Sequence, residues 1–324
     1  MLSFLKNRPC SIGVDLSDDA LKIVQLAENG GDLTLIASRS LARPNDVATG
    51  SSDWQRWAID AMRNLTAKSG FKGKEVTAAI LPNELYVEHT RMPKNVDADL
   101  NSLLLGRIKK NLPFDATVEN TLIKYVPTEN DSVLVMAAQR AIIDRHLAIY
   151  ERSGLHARNI GVWPTALANC YAKFFGRRRS DLDAVVMLLG LEANCTNMVI
   201  CRHKNPLLAR SISIGSKRFD NEEAIKRLVM ELTAARREFS STYQGAQLER
   251  LIFLAGRGIN KEACTAIAKQ LEIPAQMGDC LAAVHIADPY RLGIDRRASA
   301  SMQANQVQQQ KQVNWATAFG LCLS

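Results

Sequence analysis

Ile12-Gly13-Val14-Asp15-Leu16-Ser17, then Asp18-Asp19-Ala20, then Leu21-Lys22-Ile23-Val24-Gln25-Leu26, is the stretch from which the fold can be read. Apolar residues alternate on both sides of a short polar run, the pattern of two strands joined by a tight turn. Asn29-Gly30-Gly31 makes a second turn, and residues 33–37 give a third strand by the same logic. Trp54, Trp57, Ala58, Ala61, Met62 and Leu65 then recur at helical spacing, and 76–81 is a short apolar strand stopped by Pro82. The order is βββαβ.

Further along, the order restarts. Strands are expected at 184–189, 197–201 and 207–214, a long helix at 222–243, a strand at 251–255 and a helix at 261–271. The chain is therefore an α/β protein built of duplicated βββαβα halves. Between the halves lies a small α+β unit. In it, Asp97 caps a helix carrying Leu100, Leu103, Leu104 and Ile108 that stops at Pro113; strands follow at 121–126 and 133–138, and a helix at 141–152 ends at Gly154. The expected division is 1–84 for the first-half subdomain, completed by 158–180 and 315–324. Residues 85–157 form the insert, 181–295 a shortened second half, and 296–314 a loop holding six glutamines between Gln303 and Gln312.

A length of 324 residues suits two domains of about 150 residues each. With 47% hydrophobic and 23% charged residues, wholesale disorder and collagen-like structure are excluded. The net charge of +8 permits an anionic partner such as nucleic acid or a membrane surface. That charge is unevenly placed: 158–260 holds 16 basic against 9 acidic residues, whereas 85–157 has nine of each. Arg177, Arg178 and Arg179 are followed by Ser180, Asp181 and Asp183 without interleaved aromatics, which reads as a solvated loop and argues against nucleic acid. The seven cysteines show no C-x-x-C and the five histidines no ligand spacing, so neither a disulfide framework nor zinc is expected; no serine lies in a nucleophile-elbow context. No apolar run reaches membrane-spanning length, and 1–10 lacks a signal-peptide core, so the reading expects a cytoplasmic protein.

The duplicated halves resemble the actin-like, ribonuclease H-like ATPase fold. The order of several motifs resembles the PilM family of type IV pilus assembly: the opening hairpin above, Lys109-Lys110-Asn111-Leu112-Pro113-Phe114, Leu134-Val135-Met136-Ala137-Ala138, Gly154-Leu155 leading to Ile160-Gly161-Val162, and Ala316-Thr317-Ala318-Phe319-Gly320-Leu321. The resemblance implies a nucleotide site with Asp15, Ser17 and Lys22 on the first phosphate hairpin, Gly190 on the second, and Gly256 and Gly258 at the adenosine turn. Asp15 is equally readable as a hairpin-turn residue.

Four departures weaken that site. Asp18 and Asp19 stand where the family has small hydroxyl residues, Leu188 stands at the expected acid, Arg257 interrupts the glycine turn, and only 216–221 separates Gly215 from the long helix. ATP with magnesium is thus expected to bind weakly or not at all, with no hydrolysis and no catalytic or metal-binding residue. The resemblance further implies an adaptor at the inner face of the bacterial inner membrane. Its partner would be the N-terminal cytoplasmic peptide of a PilN-like bitopic protein, held in a cleft between the first subdomain and the insert. The alternatives are a nucleotide-switched actin-like ATPase and an actin-like subunit of a type II secretion or related pilus system.

Overall fold

The opening strand β2 (Ile12–Leu16) is buried at every position, as befits the middle of a sheet covered on both faces. In this computed structural model, which describes residues 8–29, 31–67, 70–92, 99–286 and 312–324, β2 pairs antiparallel with β3 (Ala20–Asn29) and parallel with β5 (Glu75–Ala79). β4 (Asp32–Ala42) extends the sheet beyond β3, and β9 (His156–Gly161) extends it beyond β5. The second sheet is built the same way. β10 (Val185–Leu191) pairs antiparallel with β11 (Thr196–Arg202) and parallel with β13 (Leu248–Leu254), flanked by β12 (Asn205–Ile212) and β14 (Ala275–Gly278). The strand orders β4-β3-β2-β5-β9 and β12-β11-β10-β13-β14 are one plan used twice. Two short strands, β1 (Arg8–Pro9) and β15 (His285–Ile286), join the first sheet on β3 and β4.

Helices cover the faces of these sheets. α1 (Ser52–Ala67) buries Trp54, Ala58, Ala61 and Met62 against Ile12, Val14 and Ile23 of the first sheet. α5 (Glu222–Thr242) and α6 (Lys261–Leu271) cover one face of the second sheet through Leu228, Leu232, Phe239 and Ile267. α4 (Trp163–Phe174) lies between the two sheets and packs with the closing helix Ala316–Cys322. Close approach there needs small residues: a Cβ at Gly320 would overlap the Ala166 carbonyl, and one at Gly13 would overlap the Ala318 carbonyl.

The inserted unit is a three-stranded sheet in the order β6 (Tyr86–Arg91), β8 (Ser132–Gln139), β7 (Thr121–Pro127), with α2 (Leu100–Ile108) packed on it. Its boundary differs from the expected 85–157. α3 (Arg140–Arg152) buries Ile149 and Tyr150 in the core beneath α1 and leads directly into β9, so it is the first half's crossover helix and the counterpart of α6. The helical period of 141–152 is real, and Gly154 takes the expected left-handed φ of 75°. Sequence alone does not show which core that face meets. Most of the glutamine-rich loop expected at 296–314 lies outside the described residues; Gln312, Val313 and Asn314 are described. The described part of the chain contains no helix long and apolar enough to cross a membrane.

Candidate functional site

The two hairpins β2–β3 and β10–β11 bring their turns together where the halves meet. Asp15 faces Lys22 across the first hairpin, and the Lys22 ammonium lies 3.0 Å from Asp15 Oδ2. The same ammonium is 2.6 Å from Glu192 Oε2, at the turn of the second hairpin. Lys22 is only 2% exposed and both acids are nearly as buried. Asn314 donates to the other Glu192 oxygen at 2.8 Å and to the Leu191 carbonyl at 3.2 Å. A second link runs from Asn194 Nδ2 to Asp18 Oδ2 at 2.7 Å, while Thr49 donates to Asp18 Oδ1. Ser17 is turned inward to its own hairpin, donating to the Ala20 carbonyl and to Asp19.

Electrostatics explain why this clasp holds together. Burial by itself would lower the pKa of Lys22, but Asp15, Glu192 and Asp19 outweigh it and hold Lys22 above the usual lysine range. Burial raises Glu192 to about 8, with Asp15 and Asp19 adding and Lys22 opposing. One ammonium thus serves two buried acids, and among the described residues no cation lines the void between the turns. The void between the turns is about 20 Å³, lined by Asp15, Ser17, Asp19, Glu192 and Trp163, among others. That is room for roughly one water, since a water needs about 10–15 Å³.

The expected nucleotide residues therefore divide. Asp15, Ser17 and Lys22 do come together, but in an ion-pair clasp. Gly190 pairs with Asn197 and packs against Leu167 of α4. Gly256 and Gly258 lie under the chain's own Gln312: a Cβ at Gly256 would overlap the Gln312 carbonyl, and one at Gly258 would come within 3.1 Å of its side chain. Neither glycine lines the void between the turns. Arg257 is held by Asp279 at 2.5 Å.

The acid expected at Leu188 is misplaced in register. Leu188 is a fully buried strand residue paired with Val199 and Ile252, well before the turn. The hairpin's acid is Glu192, which sequence reasoning missed. In the structure the Ser17 N–H donates to the Ala20 carbonyl and the Glu192 N–H to the Cys195 carbonyl, so the two turns align Glu192 with Ser17.

A larger opening lies beside the clasp. β6 and β12 are edge strands of separate sheets and approach each other across a groove of about 630 Å³. Leu85, Tyr86 and Val87 line one side, Leu208, Ala209 and Arg210 the other, and Trp163 also lines it. Trp163 is 1% exposed, and its indole N–H has no acceptor among the described residues. The lip at Pro82–Glu84 is fixed from behind, where Glu84 binds Arg145 and accepts from or donates to His146 Nε2 at 3.1 Å. A second opening of about 1010 Å³ shares His89 with the first and continues between the insert and α5. The first groove is bounded by the first half at Pro82 and Trp163, the insert at Tyr86 and the second half at Leu208, and the second groove lies between the insert and the second half. Their floor is mixed in polarity: Glu88, Arg210 and Glu238 stand beside the apolar residues.

No family model matches the chain, and no curated protein matches it. Solved structures do. The chain in a PilM-PilN type IV pilus biogenesis complex superposes with a TM-score of 0.72 over 97% of both chains, at 19% identity. A Bacteroides thetaiotaomicron protein of actin-like ATPase fold and unknown function is 14% identical over 88% of this chain and 96% of its own, with a TM-score of 0.49. The cytoplasmic domain of EpsL, an inner-membrane component of the Vibrio cholerae type II secretion system, is 14% identical over 92% and 93%, with a TM-score of 0.47. With its strand plan repeated in both halves, the chain has the actin-like fold and is a divergent likeness of the PilM chain in architecture.

Proposed function

We propose that this protein is a non-enzymatic actin-like adaptor of a pilus assembly machine, working at the inner face of the bacterial inner membrane. It grips an extended peptide, the cytoplasmic N-terminus of a PilN-like bitopic protein. The observation that carries the reading is the pairing of a closed ion-pair clasp with an open groove. Lys22, Asp15 and Glu192 join the two turns on which the family resemblance puts the phosphates, while the groove between β6 and β12 is of a size to take several side chains. Both edge strands carry free main-chain groups on that side, so an extended peptide can add to a sheet and drop alternate side chains between Leu85 and Leu208. The buried Trp163 N–H has no acceptor among the described residues, so a peptide carbonyl can pair with it once the side chains lining the groove give way. ATP is not hydrolysed, and magnesium has no role.

The test is titration of the purified chain with a synthetic peptide of the cytoplasmic N-terminus of the PilN-like protein from the same organism. Saturable binding is expected. Trp163→Phe, which keeps the ring and removes the donor, should weaken binding about tenfold, the value of one hydrogen bond of about 1.4 kcal/mol. Leu208→Asp should abolish it. Binding that neither variant changes would remove the groove from the reading.

A further inference from the structure

Four of the seven cysteines stand in two pairs contributed by distant parts of the chain. Cys170 and Cys280 lie 3.3 Å apart, sulfur to sulfur, in the core, with 0% and 4% exposure. Cys10 and Cys322 differ in that one member meets solvent. Cys10 precedes β2 at the surface and is half-buried; Cys322 is the last residue of the closing helix and is buried. Backbone contacts place the Cys322 sulfur beside the chain at Cys10. The Cys10 N–H donates to the Leu26 carbonyl at 2.9 Å, and the Leu26 N–H donates to Cys322 Sγ at 3.3 Å. Cys322 Sγ also donates to the carbonyl of Ser11, the residue after Cys10, at 3.1 Å. The Cys10 side chain packs against the buried cluster that contains Cys322.

We infer that Cys10 and Cys322 form a redox-responsive dithiol, with Cys10 as the attacking thiol, Cys322 as the resolving thiol, and a small disulfide of the glutathione type as oxidant. The pattern is that of a redox sensor: an accessible thiol of thiolate character next to a second cysteine. The Cys10 thiolate attacks one sulfur of the external disulfide and expels one thiolate. Cys322 then loses its proton to solvent and attacks the Cys10 sulfur, expelling the second. The two cysteines are oxidised to one disulfide, and the external disulfide is reduced to two thiols.

The surroundings of Cys10 favour the first step. The neighbouring Cys322 thiol lowers the Cys10 pKa to about 7, against burial and the nearby Glu28, with Lys173 assisting. Cys322, raised by burial and by the neighbouring Cys10, stays protonated and inert until Cys10 has reacted. Closing this bond would tie the segment between β1 and β2 to the closing helix, and Asn314, two residues before that helix, binds Glu192 in the clasp. The dithiol state therefore bears on the joint between the halves.

The experiment exposes the native chain to glutathione disulfide near neutral pH, quenches with an alkylating agent and maps modified peptides by mass spectrometry. A Cys10–Cys322 cross-link is expected in the native chain. Cys322→Ser should instead trap glutathione on Cys10, and Cys10→Ser should lose both products. The rate of Cys10 alkylation should have its midpoint near pH 7. At that pH a thiol of pKa 7 has about fifty times the thiolate of one at 9, and the loss of intrinsic nucleophilicity leaves about a fivefold advantage. Glutathione that accumulates on Cys10 in the native chain without a cross-link, or a Cys10 that alkylates with an ordinary thiol midpoint, would overturn the inference. The Cys322→Ser variant keeps the result readable, since it retains the size of the buried side chain.

Discussion

Lys22 is the residue on which the joint between the halves depends. A buried ammonium with two carboxylate partners is strongly destabilising to remove, because the acids remain buried without it; about 3–5 kcal/mol is the usual cost of breaking such a pair from one side. Lys22→Met should therefore lower the midpoint of chemical denaturation, and in that background Glu192→Gln should recover part of the loss. A variant as stable as the parent would show that the clasp contributes nothing. Glu192 also sets a pH dependence. Its folded pKa of about 8 lies above its usual 4.5, so between these values the native state holds a proton that the unfolded chain has lost. Stability from this group is fully present below about 4.5 and declines as pH rises toward 8. Lys22 has the same sign but acts only above the usual lysine range, where its folded pKa keeps it charged longest. Denaturation curves from pH 5 to 8 should slope less in Glu192→Gln than in the parent chain, and equal slopes would refute the assignment. The sequence displayed Lys22 and Asp15 because they face each other across one hairpin. Glu192 was hidden because its partner is 170 residues away and its own turn looked ordinary.

Among the elements, those with an apolar stripe or a short apolar run were legible and those with neither were not. α1, α5 and α6 carry apolar stripes, and β10, buried on both faces, is an apolar run. α4 is buried nearly all round, so its apolar residues show no stripe and the helix escapes a periodicity reading. β9, His-Ala-Arg-Asn-Ile-Gly, is a mostly polar edge strand held by main-chain pairing to β5, and side-chain patterning says little about it. The insert boundary slipped for a related reason: α3 looks the same whichever core it faces, and only the parallel pairing of β5 with β9 assigns it. Two glycines in helices show how element packing sets the cost of one methyl group. Gly320 touches the Ala166 backbone, which cannot give way, whereas a Cβ at Gly106 in α2 would meet nothing within 4 Å. Gly320→Ala should destabilise the chain by several kcal/mol, on the order of 3 or more, by prising the closing helix from α4. Gly106→Ala should stabilise it by about 0.5–1 kcal/mol through helix propensity. Thermal unfolding of the two variants checks both signs, and a neutral Gly320→Ala would mean that the helices are not in contact.

At the scale of the whole molecule, the repeated strand order was legible from sequence because it is local, whereas the ion-pair clasp between the two turns is a property of how the halves meet. The departures in the phosphate and adenosine turns pointed toward a weak site, although the one placed at Leu188 used the wrong register. The stronger reasons are spatial: Gln312 lies on Gly256 and Gly258, one ammonium is shared by two acids, and the void between the turns is about 20 Å³. The carboxylates of Asp15, Asp18, Asp19 and Glu192 crowd a place where the described cations Lys22 and Arg43 are already engaged with Asp15, Glu192 and Asp18. Phosphate would have to displace these pairs, at a cost in desolvation and repulsion that its own hydrogen bonds must first offset. The proposed peptide meets no such barrier, since the groove between β6 and β12 is open in the same arrangement of the halves. Ligand linkage separates the two cases in one measurement. A ligand bound to the native state at one hundred times its Kd stabilises it by about 2.7 kcal/mol, a rise of several degrees in Tm for a chain of this size. Millimolar Mg-ATP should leave Tm unchanged in the parent chain, while saturating peptide should raise it and should lose that effect in Leu208→Asp. A rise with Mg-ATP that Asp15→Ala abolishes would establish a nucleotide-switched protein, because the clasp would then have to open to admit the phosphates.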